Sequence, residues 1–170
     1  MTPDVRYTDI EHTVIDSGVF RSTLGSFATG VVVITASGAG GALGMAVNSF
    51  TTVSLDPPLV LFCAAHSSMT WPRIRAAGRF CANVLASGQT DVARRFAGPG
   101  DRYHEVGHSP GISGSPVLVG AHAFVECVLV EEHDAGDHTI VLGRVVALGA
   151  DESNSPLVFH RGRFHGSLEA

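Results

Sequence analysis

Small and hydroxyl side chains interrupt Gly44-Met45-Ala46-Val47-Asn48-Ser49-Phe50-Thr51-Thr52-Val53-Ser54, where a β-branched strand would be expected. Slender side chains leave main-chain N–H and C=O groups open to a flat heteroaromatic ligand. A flavin needs such a surface: its ring carries carbonyl acceptors and an N–H donor along one edge, while one face stays free for a hydride donor. Further on, His66-Ser67-Ser68-Met69-Thr70 is expected to open a helix, where free N–H groups and hydroxyls can receive a phosphate without any lysine. On residues alone, each stretch also reads as an ordinary strand bulge or helix cap.

Two further strings spell familiar chemistry without meeting its conditions. His104-Glu105-Val106-Gly107-His108 matches the zinc-protease pattern H-E-x-x-H, which needs both imidazoles on one face of a stable helix. Gly107 sits inside it, Gly98-Pro99-Gly100 just before and Ser109-Pro110-Gly111 just after, so a polar loop is expected and no metal ligand is assigned. Gly38-Ala39-Gly40-Gly41-Ala42-Leu43-Gly44 nearly spells a dinucleotide-binding loop. Leu43 replaces its third glycine, and the run opens a strand where that loop requires a helix, so it reads as a turn.

The elements that must position these residues are mostly strands. Ser17–Phe27 has Phe20, Leu24 and Phe27 at helical spacing and follows a loose arm over residues 1–16. Thr29–Ser37 and Leu43–Ser54 are expected as a hairpin about the Gly38–Gly41 turn. Asp56-Pro57-Pro58 breaks the ladder before a buried strand at Leu59–Ala64. Loop and helix over His66–Gly78, a strand at Arg79–Leu85 and a helix at Thr90–Phe96 follow, then a Gly/Pro-rich loop from Ala97 to Pro116 of the kind that often serves as a lid. Strands are expected at His122–Glu132, His138–Leu148 and Leu157–Phe164. Strands joined mostly by hairpins, with few helices between, predict a mainly β antiparallel barrel with peripheral helices, formed by residues 1–170 as one domain.

Composition narrows the chemistry further. All eleven basic residues among the 170 are arginine, which removes P-loop, Schiff-base and lysine-base mechanisms. A net charge of -5 opposes nucleic-acid binding. An apolar content of 45% suggests that a surface is buried between subunits as well as in a core. Cys63, Cys81 and Cys127 each lie in an apolar run without a C-x-x-C pair, as expected of reduced core thiols in a cytoplasmic protein. No signal peptide is read at the start, and the longest apolar run, Pro57 to Ala65, is far below the ~20 residues that span a membrane.

Taken in order, Phe27-Ala28-Thr29-Gly30-Val31, the 44–61 stretch, Arg79-Phe80-Cys81-Ala82-Asn83-Val84-Leu85, Ala135-Gly136-Asp137-His138-Thr139 and Arg161-Gly162-Arg163-Phe164 resemble a known family. It is that of the short-chain flavin reductases, the small components of two-component flavin-dependent monooxygenases. The resemblance runs from about Phe20 to Phe164. It implies an FMN-binding split barrel of antiparallel Greek-key type, usually a homodimer, that reduces FAD or FMN with NADH and releases the product to a partner oxygenase. It further implies that Ala46, Val47, Asn48, Ser49 and Phe50 line the isoalloxazine, with Thr52 beside the ribityl chain. Cys63, Ser67, Ser68 and Thr70 would approach the ribityl and phosphate groups, and Phe96 with Ala97 the adenylate. His138 would sit against the nicotinamide, and Phe159, His160, Arg161 and Gly162 would help hold the dinucleotide. Phe164 stands where many members have tyrosine, and Ser67 and Ser68 stand where basic residues are common.

Hydride transfer between two rings needs no nucleophile, so catalysis is expected to rest on stacking and exclusion of water, with His138 orienting the carboxamide or supplying a proton. Two other functions are open to the same scaffold: flavin storage or sensing without turnover, and a single-component reductase passing electrons to another small acceptor. A zinc hydrolase is the most remote.

Overall fold

Val31 to Ala36 is buried residue by residue, the pattern of a strand covered on both faces. In the computed structural model, which describes residues 15–166, the chain runs α1 (Ser17–Leu24), β1 (Thr29–Gly30), β2 (Val32–Gly38), β3 (Gly41–Val47), β4 (Thr51–Leu55), β5 (Pro58–Ala65), α2 (Trp71–Ala77) and β6 (Arg79–Val84). It continues through α3 (Thr90–Ala97), β7 (His108–Pro110), β8 (Pro116–Leu118), β9 (Ala123–Ala135), β10 (His138–Ala150), β11 (Val158–His160) and β12 (Arg163–His165). The arm expected over residues 1–16 lies outside the described residues except for Ile15 and Asp16. No helix among the described residues is long and apolar enough to cross a membrane.

Seven strands form one antiparallel sheet in the order β3-β2-β6-β9-β10-β5-β4. Its two edge strands, β3 and β4, are consecutive in the chain and joined only by residues 48–50. Seven strands laid flat would hold their edges about 29 Å apart, whereas a link of that length reaches about 15 Å at most. The sheet therefore has to curl into a barrel. β3 and β4 do not pair, so the barrel stays split along that seam. One side chain stitches it: Ser49 Oγ accepts the Cys63 N–H at 2.9 Å and donates to the Cys63 carbonyl at 3.4 Å.

The barrel interior holds Ile34, Phe62, Phe80 and Val141, into which α2 sends Trp71 and Ile74. Phe62 meets Trp71 and Phe80 edge-on at 5.4 and 5.3 Å. A second cluster lies outside the wall, where Ala93 and Phe96 of α3 cover Val31 and Val33. Gly44 permits that approach, because a Cβ there would overlap the Phe96 ring. Buried Asn83 ties β8 to this wall: its Oδ1 accepts the Leu118 N–H at 2.8 Å, and its Nδ2 donates to the Val33 carbonyl at 3.2 Å.

Four expectations are corrected. The first helix stops at Leu24, short of Phe27, and Phe20, Leu24 and Phe27 are all exposed. The strand expected over Leu43–Ser54 breaks at residues 48–50, and its second half crosses to the opposite sheet edge as β4. Leu157–Phe164 is not one strand but a hairpin turning at Arg161-Gly162, whose φ values of 49° and 75° fit a tight two-residue turn. The Ala97–Pro116 segment is pinned down, not a free lid. Arg102 donates from Nη1 to the Gly44 carbonyl at 2.7 Å and to Thr70 Oγ1, and from Nε to the Gly98 carbonyl at 3.0 Å. Tyr103 OH donates to the Leu43 carbonyl at 2.8 Å, and Glu126 accepts the Ile112 and Ser113 N–H groups at 2.9 Å each. Within this segment His104 and Glu105 lie in a turn, with Glu105 at φ 57°, while His108 begins β7. The two imidazoles of the H-E-x-x-H string therefore share no helical face.

Candidate active site

Where β3 ends and the seam opens, the outer wall bears a cleft of about 230 Å³. Ala46, Val47 and Asn48 come from the end of β3, Val31 from the approach to β2, Ala93 and Ala97 from α3, and Phe159 and Phe164 from the β11–β12 hairpin. Ala93 and Ala97 are one helical turn apart, so both methyls face the cleft. Together with Ala46 they leave room that any longer side chain would fill. The walls are apolar apart from Asn48, and Thr29 Oγ1, on the strand paired with Phe159, is buried without a partner among the described residues. A planar, mostly apolar ring system with polar atoms on one edge fits such walls.

Five expected site residues thus come together: Ala46, Val47, Asn48, Ala97 and Phe159. The others lie around them or serve the fold. Ser49 is the seam stitch, and Phe50 packs half-buried against the barrel interior. Thr52 is exposed on β4 opposite Val60, and Cys63 is half-buried on β5 opposite Ile140. Ser67 is exposed, and Ser68 Oγ accepts the Thr70 and Trp71 N–H groups at 3.3 and 3.1 Å at the start of the helix. Thr70 is buried, with its hydroxyl taken by Arg102. Phe96 is only 1% exposed and meets Tyr103 edge-on at 5.1 Å, so its ring belongs to the core and does not cover an adenylate. His160 faces His165 across the hairpin, and Arg161 with Gly162 lines a separate hollow beside Arg21 and Ser22.

His138 opens β10 opposite Ala65, on the same face of the β5–β10 pair as Cys63 and Ile140. Its Nδ1–H donates to Asp137 Oδ1 at 2.6 Å, which leaves Nε2 free of that contact. That hydrogen bond, then the charge of His138, hold the Asp137 carboxyl below the usual carboxylate range, with a smaller contribution from His66. The thiols of Cys81 and Cys127 are each pushed up to about 12, first by burial and then by the neighbouring Glu126 carboxylate, so neither can serve as a thiolate.

Residue-by-residue reading missed the walls supplied by Val31, Ala93 and Phe164, and the anchors Arg102 and Asn83. For α3 a signal existed. Val92, Ala93 and Phe96 follow helical spacing, which marks Phe96 as inward-facing and places Ala97 one turn beyond Ala93.

A model of the flavin reductase like domain matches residues 24–167. The reductase subunit of a flavin-dependent monooxygenase from Mycobacterium tuberculosis is 42% identical over 155 residues, spanning 89% of this chain and 83% of that protein. An FMN reductase (NADH) from Agrobacterium fabrum is 41% identical over 158 residues, spanning 91% and 90%. Among solved structures, the NADH:FAD oxidoreductase of Streptomyces globisporus in complex with NAD and FAD fragments is similar at a TM-score of 0.84 and 38% identity, covering 91% of this chain and 96% of that one.

Proposed function

The chain belongs to the flavin reductase like family, and from that premise we propose that it transfers a hydride from NADH to FAD or FMN and releases the reduced flavin to a partner monooxygenase. The observation that carries the reading is the cleft at the end of β3, walled by Ala46, Ala93 and Ala97 and edged by Asn48, in a fold that reductases match over nine-tenths of its length. Both flavins stay in the proposal, because the FMN reductase and the FAD oxidoreductase are similar to this chain at 41% and 38% identity.

A bound flavin supplies the two-electron acceptor, and the protein's own share is positioning. Main chain at Ala46–Asn48 receives the ring edge, and the apolar walls exclude water. His138, its ring fixed by Asp137, presents Nε2 to the nicotinamide carboxamide. The direct test is NADH oxidation with FAD and FMN supplied in turn. A saturable dependence on added flavin supports the reading, whereas one equivalent of retained flavin with no NADH consumption makes the chain a flavin-storage protein. His138→Ala is expected to raise the KM for NADH about tenfold with flavin affinity nearly intact. An unchanged KM removes His138 from the site.

The homodimer is part of the same proposal, and α1 supports it. Val19, Phe20 and Leu24 are each more than half exposed, and an eight-residue helix has little stability without a surface to pack on. A second copy is the natural cover. The double variant Phe20→Ser/Leu24→Ser is expected to sediment as a monomer, and a dimer of wild-type affinity would move the interface elsewhere. Cys81 and Cys127, buried and unbridged, accord with a reducing, cytoplasmic setting.

A further inference from the structure

Resting on the flavin-reductase reading above, we infer that Ser49 is a positioning residue: its hydroxyl bonds β5 in place of main chain and so keeps the backbone of residues 48–50 open at the rim of the flavin cleft. It acts through Cys63 and Asn48, which differs from lining the isoalloxazine, the part that the family resemblance gives it.

β4 pairs with β5 as Thr51 with Leu61 and Thr52 with Val60, so two residues beyond the first of these pairs the same register sets Ser49 against Cys63. Cys63 turns both its N–H and its carbonyl toward that rung, as residues at the bonded positions of an antiparallel ladder do. In an ordinary ladder the facing residue would answer with its own N–H and carbonyl. Here one side chain replaces both groups, since Ser49 Oγ accepts the Cys63 N–H at 2.9 Å and donates to the Cys63 carbonyl at 3.4 Å. Cys63 is satisfied, and the backbone of residue 49 stands one side chain's length back from β5.

The consequence falls on the crossover between β3 and β4. None of the backbone N–H or C=O groups of residues 48–50 makes a hydrogen bond among the described residues, and Asn48 edges the flavin cleft. Backbone groups without a protein partner must be met by water or by a ligand. A flavin ring, with carbonyls and an N–H along one edge, is a ligand that can meet them. Smallness alone does not keep a strand open, because Ala46 is smaller than Ser49 and still pairs with Val33 along β3. Without the hydroxyl, the rung at Cys63 is free to close through main chain. That closure lengthens β4 to residue 49 and draws Asn48 toward β5, away from the cleft.

Flavin fluorescence titrations of the wild type, Ser49→Ala and Ser49→Thr, combined with amide hydrogen exchange, test this role. Ser49→Ala is expected to weaken FMN and FAD alike by about tenfold, with the loss falling on the KM for flavin more than on kcat. Ser49→Thr keeps the hydroxyl at a half-buried position and should bind both flavins within about twofold of the wild type. The Leu61 amide, on the neighbouring rung, should stay protected in both variants, which separates a shifted crossover from a melted β4. Wild-type affinity in Ser49→Ala overturns the assignment. So does an equal loss in Ser49→Thr, which would point to crowding at the position, or a loss of Leu61 protection along with binding, which would make Ser49 merely structural. A wild type that binds neither flavin is a different failure: it removes the flavin-reductase reading and takes this role for Ser49 with it.

Discussion

Ala46→Trp is expected to abolish flavin turnover while the barrel stays folded. Ala46 lies on the outer side of β3, opposite Val33, and its methyl is one wall of the 230 Å³ cleft. An indole there occupies the volume that the flavin ring needs, with Phe159 and Phe164 closing the far side. The Kd for both FMN and FAD should rise by at least about 100-fold, equivalent to ~2.7 kcal/mol. The cost to the fold is that of overpacking a half-buried site, about 1–3 kcal/mol, so unfolding in urea should remain cooperative. Ala46→Ser, which adds one oxygen, serves as the control and should bind nearly as the wild type does. Retention of wild-type affinity by the tryptophan variant would place the ring elsewhere.

That variant also tests how much of the site could be read from residue types. The weak point in the 44–54 stretch is legible because hydroxyl and small residues replace the β-branched ones that fill β2, and the break at 48–50 falls within it. The β2–β3 hairpin, α2, α3 and the long β9–β10 ladder follow from periodicity and turn residues, since their contacts are local. What sequence could not supply was pairing at long range. Whether Thr51–Leu55 continues β3 or crosses to the other edge depends on β5 lying beside β10, which no local propensity encodes. The lid expectation failed for the same reason. Glycine and proline correctly marked Ala97–Pro116 as irregular, but irregular is not mobile when Arg102 reaches Gly44, Tyr103 reaches Leu43 and Glu126 reaches Ser113. Phe96 shows the converse case. It stands in a stretch suited to a ligand, and its ring is already used by the fold as core.

Glu126→Ala is expected to be strongly destabilising. Glu126 is 1% exposed, sits on β9 between two interior positions, and faces no basic side chain among the described ion pairs. Its charge is balanced by donors instead: the N–H groups of Ile112 and Ser113 and the Ser113 hydroxyl. Gly111 is required at the contact, because a Cβ there would strike the carboxylate. Alanine removes all three charge-assisted bonds and leaves the 111–113 turn with donors facing an empty space. Water can enter from the exposed Ile112 side, so the loss should be about 2–4 kcal/mol rather than the full cost of sealed, unpaired groups. Glutamine does not repair it, because its NH₂ would face one of the two backbone N–H donors. For a chain of this size a loss of that order lowers Tm by roughly 5–15 °C. Limited proteolysis should cut the variant within Gly111–Ser115 while the wild type resists. The expected order of stability is therefore wild type, then Glu126→Gln, then Glu126→Ala. A glutamine variant as stable as the wild type would mean that the carboxylate, despite its three donors, does not hold this loop to the barrel.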